Sequence, residues 1–109
     1  MLASLAAVVL AADPDPVLVE RGKALYAENR CATCHSIAGK GNKLGPHDDV
    51  GARLTADELR AWIVDPRAMA RKTKSARKPP MPVFELKRAD VDALVAYLSA
   101  LKAPAPPSR

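Results

Sequence analysis

The chain has 109 residues and two cysteines, and both fall in one pentapeptide, Cys31-Ala32-Thr33-Cys34-His35. A C-x-x-C-H run constrains a fold strongly because it commits two thiols and an imidazole to one place. Each thiol can add across one vinyl group of a porphyrin to form a thioether, and the adjacent imidazole can reach the iron as an axial ligand. The two-residue spacer sets both sulfurs on one turn of helix, facing one edge of the macrocycle. The motif therefore predicts one covalently held haem c, with Cys31 and Cys34 as attachment points and His35 as an iron ligand.

Three other uses of the pair carry different requirements. A thioredoxin-like redox pair needs a strand ahead of it and a βαβ context, whereas the residues before Cys31 read as a helix. A zinc site wants four ligands, and only Cys31, Cys34, His35 and His47 are on offer. A Cys31–Cys34 disulfide would close a very small loop and constrain little chain. Haem attachment is the reading that fits best.

Size and composition agree with a cofactor-filled core. Residues Leu2 to Ala12 form an almost unbroken apolar run, too short for a membrane span of about 20 residues. It reads as the apolar region and cleavage end of a secretory leader, with small residues at Val9-Leu10-Ala11 and Leu10-Ala11-Ala12. No Lys or Arg precedes it. Either the true start lies upstream, or the leader is weak and stays attached as a membrane anchor. Asp13-Pro14-Asp15-Pro16 separates the run from the rest of the chain, so the expected division is leader 1–12, domain 13–102 and proline-rich disordered tail 103–109. Export agrees with a haem-bound rather than disulfide-forming cysteine pair. Only 4% of the residues are aromatic: Tyr26, Trp62, Phe84 and Tyr97. A helical domain this small has little core of its own, and a porphyrin would supply the missing apolar surface.

Along the chain, Asp15-Pro16 caps and opens a helix expected to run to about Arg30. Gly22 is costly inside it, by up to about 1 kcal/mol, and marks a close approach of another backbone. Ser36 to Gly51 reads as glycine-broken loop. Thr55-Ala56-Asp57-Glu58 is a capping box, and Leu54 and Leu59 a hydrophobic staple; the helix they open carries Leu59, Trp62 and Ile63 on one face and stops at Asp65-Pro66. A short helix bearing Met69 comes next. Arg71 to Pro80 is basic and exposed, and Pro79-Pro80-Met81-Pro82 cannot be helical. The last helix is expected from about Arg88 to Leu101, with Val91, Leu94, Val95, Leu98 and Leu101 at core spacing. Lys102 lies in its last turn, and Lys87 is a poor cap at its start.

These features together resemble the class I, mono-haem c-type cytochromes. The resemblance covers about Val17 to Leu101. It is carried by Gly22-x-x-x-Tyr26 ahead of the C-x-x-C-H run, then Gly45-Pro46, Trp62-Ile63-x-Asp65-Pro66, Met81-Pro82, and Leu94 to Leu98 with Tyr97. It implies an all-α fold of three to five helices around one haem, its first and last helices crossing tightly where Gly22 meets Tyr97. It further implies that the Pro46 carbonyl takes the second imidazole proton of the axial histidine and that Met81 is the sixth ligand. Pro46, Arg53, Trp62 and Tyr97 make up the implied haem environment, Arg53 and Trp62 near the propionates. Arg53 is by default an ordinary exposed arginine, and Trp62 serves equally as core filler with its nitrogen at the surface. Met69 reads as packing; His47 is the one other imidazole that could compete for the iron, but it sits beside Pro46 on the side of His35 itself.

A His/Met pair would saturate the iron and raise its potential relative to two nitrogen ligands. The expected function is a one-electron shuttle of an exported, periplasmic respiratory-type chain, not an enzyme. The alternatives are a haem domain of a larger dehydrogenase or sulfur-oxidising complex, and a sensor or enzyme with an open sixth position. The net charge is +5, and Arg67, Arg71, Lys72, Lys74, Arg77 and Lys78 succeed one another with no acid between them. Next to the methionine loop, they would steer a monomer to redox proteins with an acidic docking surface, such as a reductase, dehydrogenase or terminal oxidase. No reader motif for nucleic acid is present.

Overall fold

The computed structural model describes residues 14–104, with Ser4 and Pro106. The apolar run, apart from Ser4, and most of the tail lie outside the described residues. The elements are α1 (Pro16–Glu28), a 3₁₀ turn (Cys31–Thr33), β1 (Ser36–Ile37), β2 (Lys40–Gly41), α2 (Val50–Arg53), α3 (Ala56–Val64), α4 (Pro66–Thr73) and α5 (Arg88–Ser99).

Asp15 opens α1 by accepting the Val17 N–H at 2.9 Å, with Pro16 in the first turn. The helix ends at Glu28 rather than Arg30. Asn29 donates from both its backbone and its side chain to the Leu25 carbonyl, and Arg30 turns into the left-handed region at φ 54°. That reversal aims the chain into the 3₁₀ turn. The cysteines therefore sit on a tight 3₁₀ turn, not on the end of a long α-helix.

The expected loop from Ser36 to Gly51 contains more order than its glycines suggest. β1 and β2 form a two-stranded antiparallel hairpin, Ser36 opposite Gly41, and Ala38 and Gly39 both take positive φ at its tip. Ala38 is held in this conformation by buried Asp48, whose Oδ2 accepts the Ala38 N–H at 2.7 Å. A parallel bridge then joins Ser36 to Pro46, and α2 starts at Val50.

Thr55 and Glu58 close the capping box reciprocally, at 3.2 and 3.0 Å. At the far end of α3, Asp65 caps α4 by accepting from the Ala68 N–H, with Pro66 in its first turn. The last helix starts at Arg88 with no side-chain cap, as Lys87 implies, and stops at Ser99, short of Leu101. The Leu101 carbonyl instead accepts the Gly51 N–H at 2.7 Å, which pulls the end of the chain onto α2 and leaves Lys102 beyond the helix.

The crossing of α1 on α5 organises the fold. A Cβ on Gly22 would strike the Ala93 carbonyl and lie 2.8 Å from its carbon, so only glycine allows this approach. Ala93 is fully buried opposite it. Leu25, Tyr26, Val91, Leu94, Val95 and Leu98 fill the crossing, and Val50, Leu59 and Ile63 extend the same core. Arg60 and Asp92 pair at 2.5 Å between α3 and α5. The result is all-α apart from the hairpin, with its apolar core open along one side.

Candidate haem-binding site

The open side of the core is a cavity of about 910 Å³, within the range of sites that enclose a cofactor. Leu59, Ile63, Trp62 and Leu98 supply apolar wall, and Cys34, His35 and Met81 all line it. A smaller space of about 250 Å³ adjoins it, lined by Cys31, Cys34, His35, Met81, Phe84 and Leu94 among others. Residues far apart in sequence thus converge on one cleft.

The 3₁₀ turn brings the cysteines there. The Cys31 carbonyl accepts from both the Cys34 N–H (3.2 Å) and the His35 N–H (3.0 Å), so the pentapeptide is wound on itself. Both cysteines are free thiols, each partly buried, and burial pushes the Cys31 thiol up. No strand precedes them among the described residues, which removes the thioredoxin-like context. Among the described residues, no three His, Cys, Asp or Glu side chains gather as a metal-ion site, so the four-ligand zinc arrangement does not form.

His35 is held in one tautomer. Its Nδ1 lies 2.9 Å from the Gly45 carbonyl oxygen; an oxygen can only accept, so Nδ1 carries the proton and Nε2 keeps its lone pair for a metal. The acceptor expected was the Pro46 carbonyl, one residue on. The Ser36–Pro46 bridge explains the difference, because the Ser36 N–H also donates to Gly45 at 3.1 Å and turns that carbonyl toward residues 35 and 36. The Pro46 carbonyl instead accepts from Arg53 at 3.2 Å. Burial lowers the His35 pKa, only partly opposed by the Gly45 bond, and the Arg77 charge lowers it further.

His47 stacks on His35, ring centroids 3.6 Å apart and planes at 18°. It lies on the His35 side, as its neighbour Pro46 implied. Burial first, then the charges on His35, Arg53 and Arg77, lower its pKa to about 3, so the ring is neutral at pH 7. The Tyr26 hydroxyl, 3.2 Å from Nδ1, completes its surroundings. Residue type marks His47 only as a competing imidazole; its support of His35 comes from the fold. The signal available was Tyr26, one of only four aromatic residues.

The other expected positions separate. Pro46, Arg53 and Trp62 line the larger cavity, and Arg53 is fixed by Asp49 at 2.7 Å. Tyr97 does not line either space; it stands at the helix crossing, 5.6 Å from the Tyr26 ring. Met69 is buried on α4 and lines neither space. Arg67, Arg71 and Arg77 reach the cavity, a position that a run of like charge does not specify.

A free cysteine pair, a histidine with its Nε2 lone pair available, and an apolar cleft fit covalent haem. Comparison with known proteins decides it: the family model for cytochrome c matches residues 19–102. The chain belongs to the cytochrome c family. Its resemblance to the class I c-type cytochromes holds, and with it the small all-α fold, covalently bound haem c and haem-based electron transfer. Cytochrome c domains are typically exported, and no described helix is long and apolar enough to cross a membrane. A curated relative, cytochrome c oxidase subunit 2 of Alkalihalophilus pseudofirmus, is 30% identical over 99 residues. The match covers 83% of this chain but 28% of that protein, so this cytochrome c domain spans under a third of the relative's length.

Proposed function

We propose that this cytochrome c domain is a one-electron carrier with His35 and Met81 as axial ligands and thioether bonds through Cys31 and Cys34. The observation that carries the reading is that His35, locked with Nε2 free, and Met81 line the same cleft as Cys34 although the two lie 46 positions apart in the sequence. The haem, when bound, supplies an iron centre that gains or loses one electron. The chain's own residues do the rest. Gly45 holds the His35 ring, Leu59, Ile63 and Leu98 exclude water, and Arg53 and Trp62 offer donors suited to carboxylates. With His35 and Met81 both holding the iron, no site would remain for oxygen or peroxide, which is why the reading is a shuttle and not an enzyme.

Partner choice is a matter of charge. Lys72, Lys74 and Lys78 are exposed, and none of the six cations from Arg67 to Lys78 makes an ion pair among the described residues. Beside the cleft, this surface suits an acidic face on a reductase, dehydrogenase or terminal oxidase met by a monomer in an exported, periplasmic compartment. The absorption spectra of oxidised and reduced protein, with and without carbon monoxide, test the reading. A sulfur-to-iron charge-transfer band and indifference to carbon monoxide are expected, whereas ready carbon monoxide binding would favour a sensor or enzyme. Similarity to an oxidase subunit supports a second reading, a haem domain serving a larger oxidoreductase. Co-purification of the full-length product with oxidase subunits from its own host would favour that reading over a free carrier.

A further inference from the structure

Arg77 differs from the other five cations of its run. The residue is exposed, yet its guanidinium reaches the haem-attachment turn, where Nη2 donates to the Cys34 carbonyl, 43 residues earlier in the chain. Nη1 rests against Gly45, where a Cβ would collide with it and would stand 2.6 Å from the Cys34 carbonyl oxygen. The missing side chain at Gly45 therefore makes the seat for this group. Gly45 is also the residue whose carbonyl holds His35.

The segment that Arg77 belongs to has little else to hold it. Between α4 and α5, residues 76–83 form neither helix nor strand. The last backbone hydrogen bond before them runs from Ser75 to Ala70, and the next one after them from Leu86 to Phe84. Prolines at 79, 80 and 82 remove three of the donors that could have tied the segment down. Among the described residues, the Arg77–Cys34 contact is the one hydrogen bond from residues 76–83 to the rest of the fold. Met81 lies four residues further along the same segment. A charged N–H donating to a backbone carbonyl makes a stronger bond than a neutral one, and the planar guanidinium gives it direction.

We propose that Arg77 is a positioning residue, the latch that fastens the Met81 segment to the haem-attachment turn and sets how readily the sixth position opens. The proposal rests on Met81 being the sixth ligand. Loss of the latch frees the segment to swing away, so an added ligand competes more easily with the thioether, while the cysteine attachment and the His35 side stay as they were.

The test uses the full holoprotein and imidazole as the competing ligand. Imidazole affinity of the ferric form is measured for wild type, Arg77→Met and Arg77→Lys, with the sulfur-to-iron charge-transfer band followed in the same titration. Without imidazole the band should persist in all three. Arg77→Met should bind imidazole roughly five- to tenfold more tightly, and Arg77→Lys, which keeps the charge on one donor nitrogen but loses the planar guanidinium, should fall between. A merely structural role would lower the melting temperature without moving the imidazole midpoint. A wild-type affinity within twofold for Arg77→Met overturns the latch and leaves Met81 ligation standing. If that variant fails to fold, Arg77→Lys decides by the same measure, and an unchanged midpoint overturns the latch. A wild-type protein lacking the band overturns Met81 ligation and the latch together.

Discussion

Met81 and Met69 share a side-chain chemistry but differ in the backbone that presents them. Met69 is buried on α4 and sealed from the cleft, whereas Met81 lines it from a proline-bounded segment. Met81→Ala should therefore abolish the charge-transfer band, lower the potential and open the haem to carbon monoxide. Met69→Ala should leave the spectrum intact and cost about 2–4 kcal/mol of stability through the cavity it creates. His47 carries a different prediction. Folding lowers its pKa from the usual 6.5 to about 3, chiefly by burial. The unfolded chain takes up a proton below pH 6.5 that the folded chain refuses, so this contribution is complete above pH 6.5 and fades as pH falls toward 3. In urea titrations across that window, His47→Phe should show a shallower loss of stability than wild type. Parallel slopes would show that His47 is not held neutral by the fold.

At the level of elements, the crossing of α1 and α5 is the joint on which the cleft depends, because Leu94 and Leu98 on α5 form part of its wall. Gly22→Ala gains about 1 kcal/mol of helix propensity, yet its methyl group meets the Ala93 backbone, which cannot step aside as a side chain would. Overpacking of this kind costs about 1–3 kcal/mol and should outweigh the gain. The expected outcome is a lower urea midpoint and, in the holoprotein, a broadened haem environment visible in the Soret circular dichroism. Helix starts were legible because each rests on local chemistry: Asp15-Pro16, Thr55 with Glu58, and Asp65-Pro66 all act as their residue types imply. Helix ends were less so. Ser99 ends α5 because Leu101 turns to bond Gly51, a partner that local sequence does not specify.

For the whole molecule, the net charge of +5 is less informative than its placement. All six cations of the basic run are exposed, and three of them, Arg67, Arg71 and Arg77, also border the cleft. Docking and latching are thus assigned to different members of one charge run. Reversing Lys72, Lys74 and Lys78 to Glu should slow electron transfer to an acidic partner and flatten its salt dependence. Screening acts over about 8 Å at physiological ionic strength, so the effect should be greatest in dilute buffer. The spectrum should be unchanged and the potential shifted only slightly. Wild-type transfer rates at low salt would show that this surface takes no part in encounter. Glu58 feels the Lys72 charge weakly, which makes Lys74 and Lys78 the more telling single variants.

The sequence by itself determined the chemistry and the local joints. Cys31, Cys34 and His35 are contiguous, so their joint use needs no fold to be seen, and caps, prolines and the α5 repeat act over a few residues. Gly22 was legible as a point of close approach, and the resemblance to the class I cytochromes supplied Tyr97 as its partner. Tertiary structure alone decided which carbonyl holds His35, that His47 stacks on it with Tyr26 behind, and that Arg77 meets the Cys34 carbonyl. Each of these is a meeting of residues from separate segments, such as Arg77 with Cys34. Such a meeting is set by the path of the intervening chain, here the Ser36–Pro46 bridge and the α1–α5 crossing. Residue type states what a group can do; only packing of the whole chain fixes what it faces.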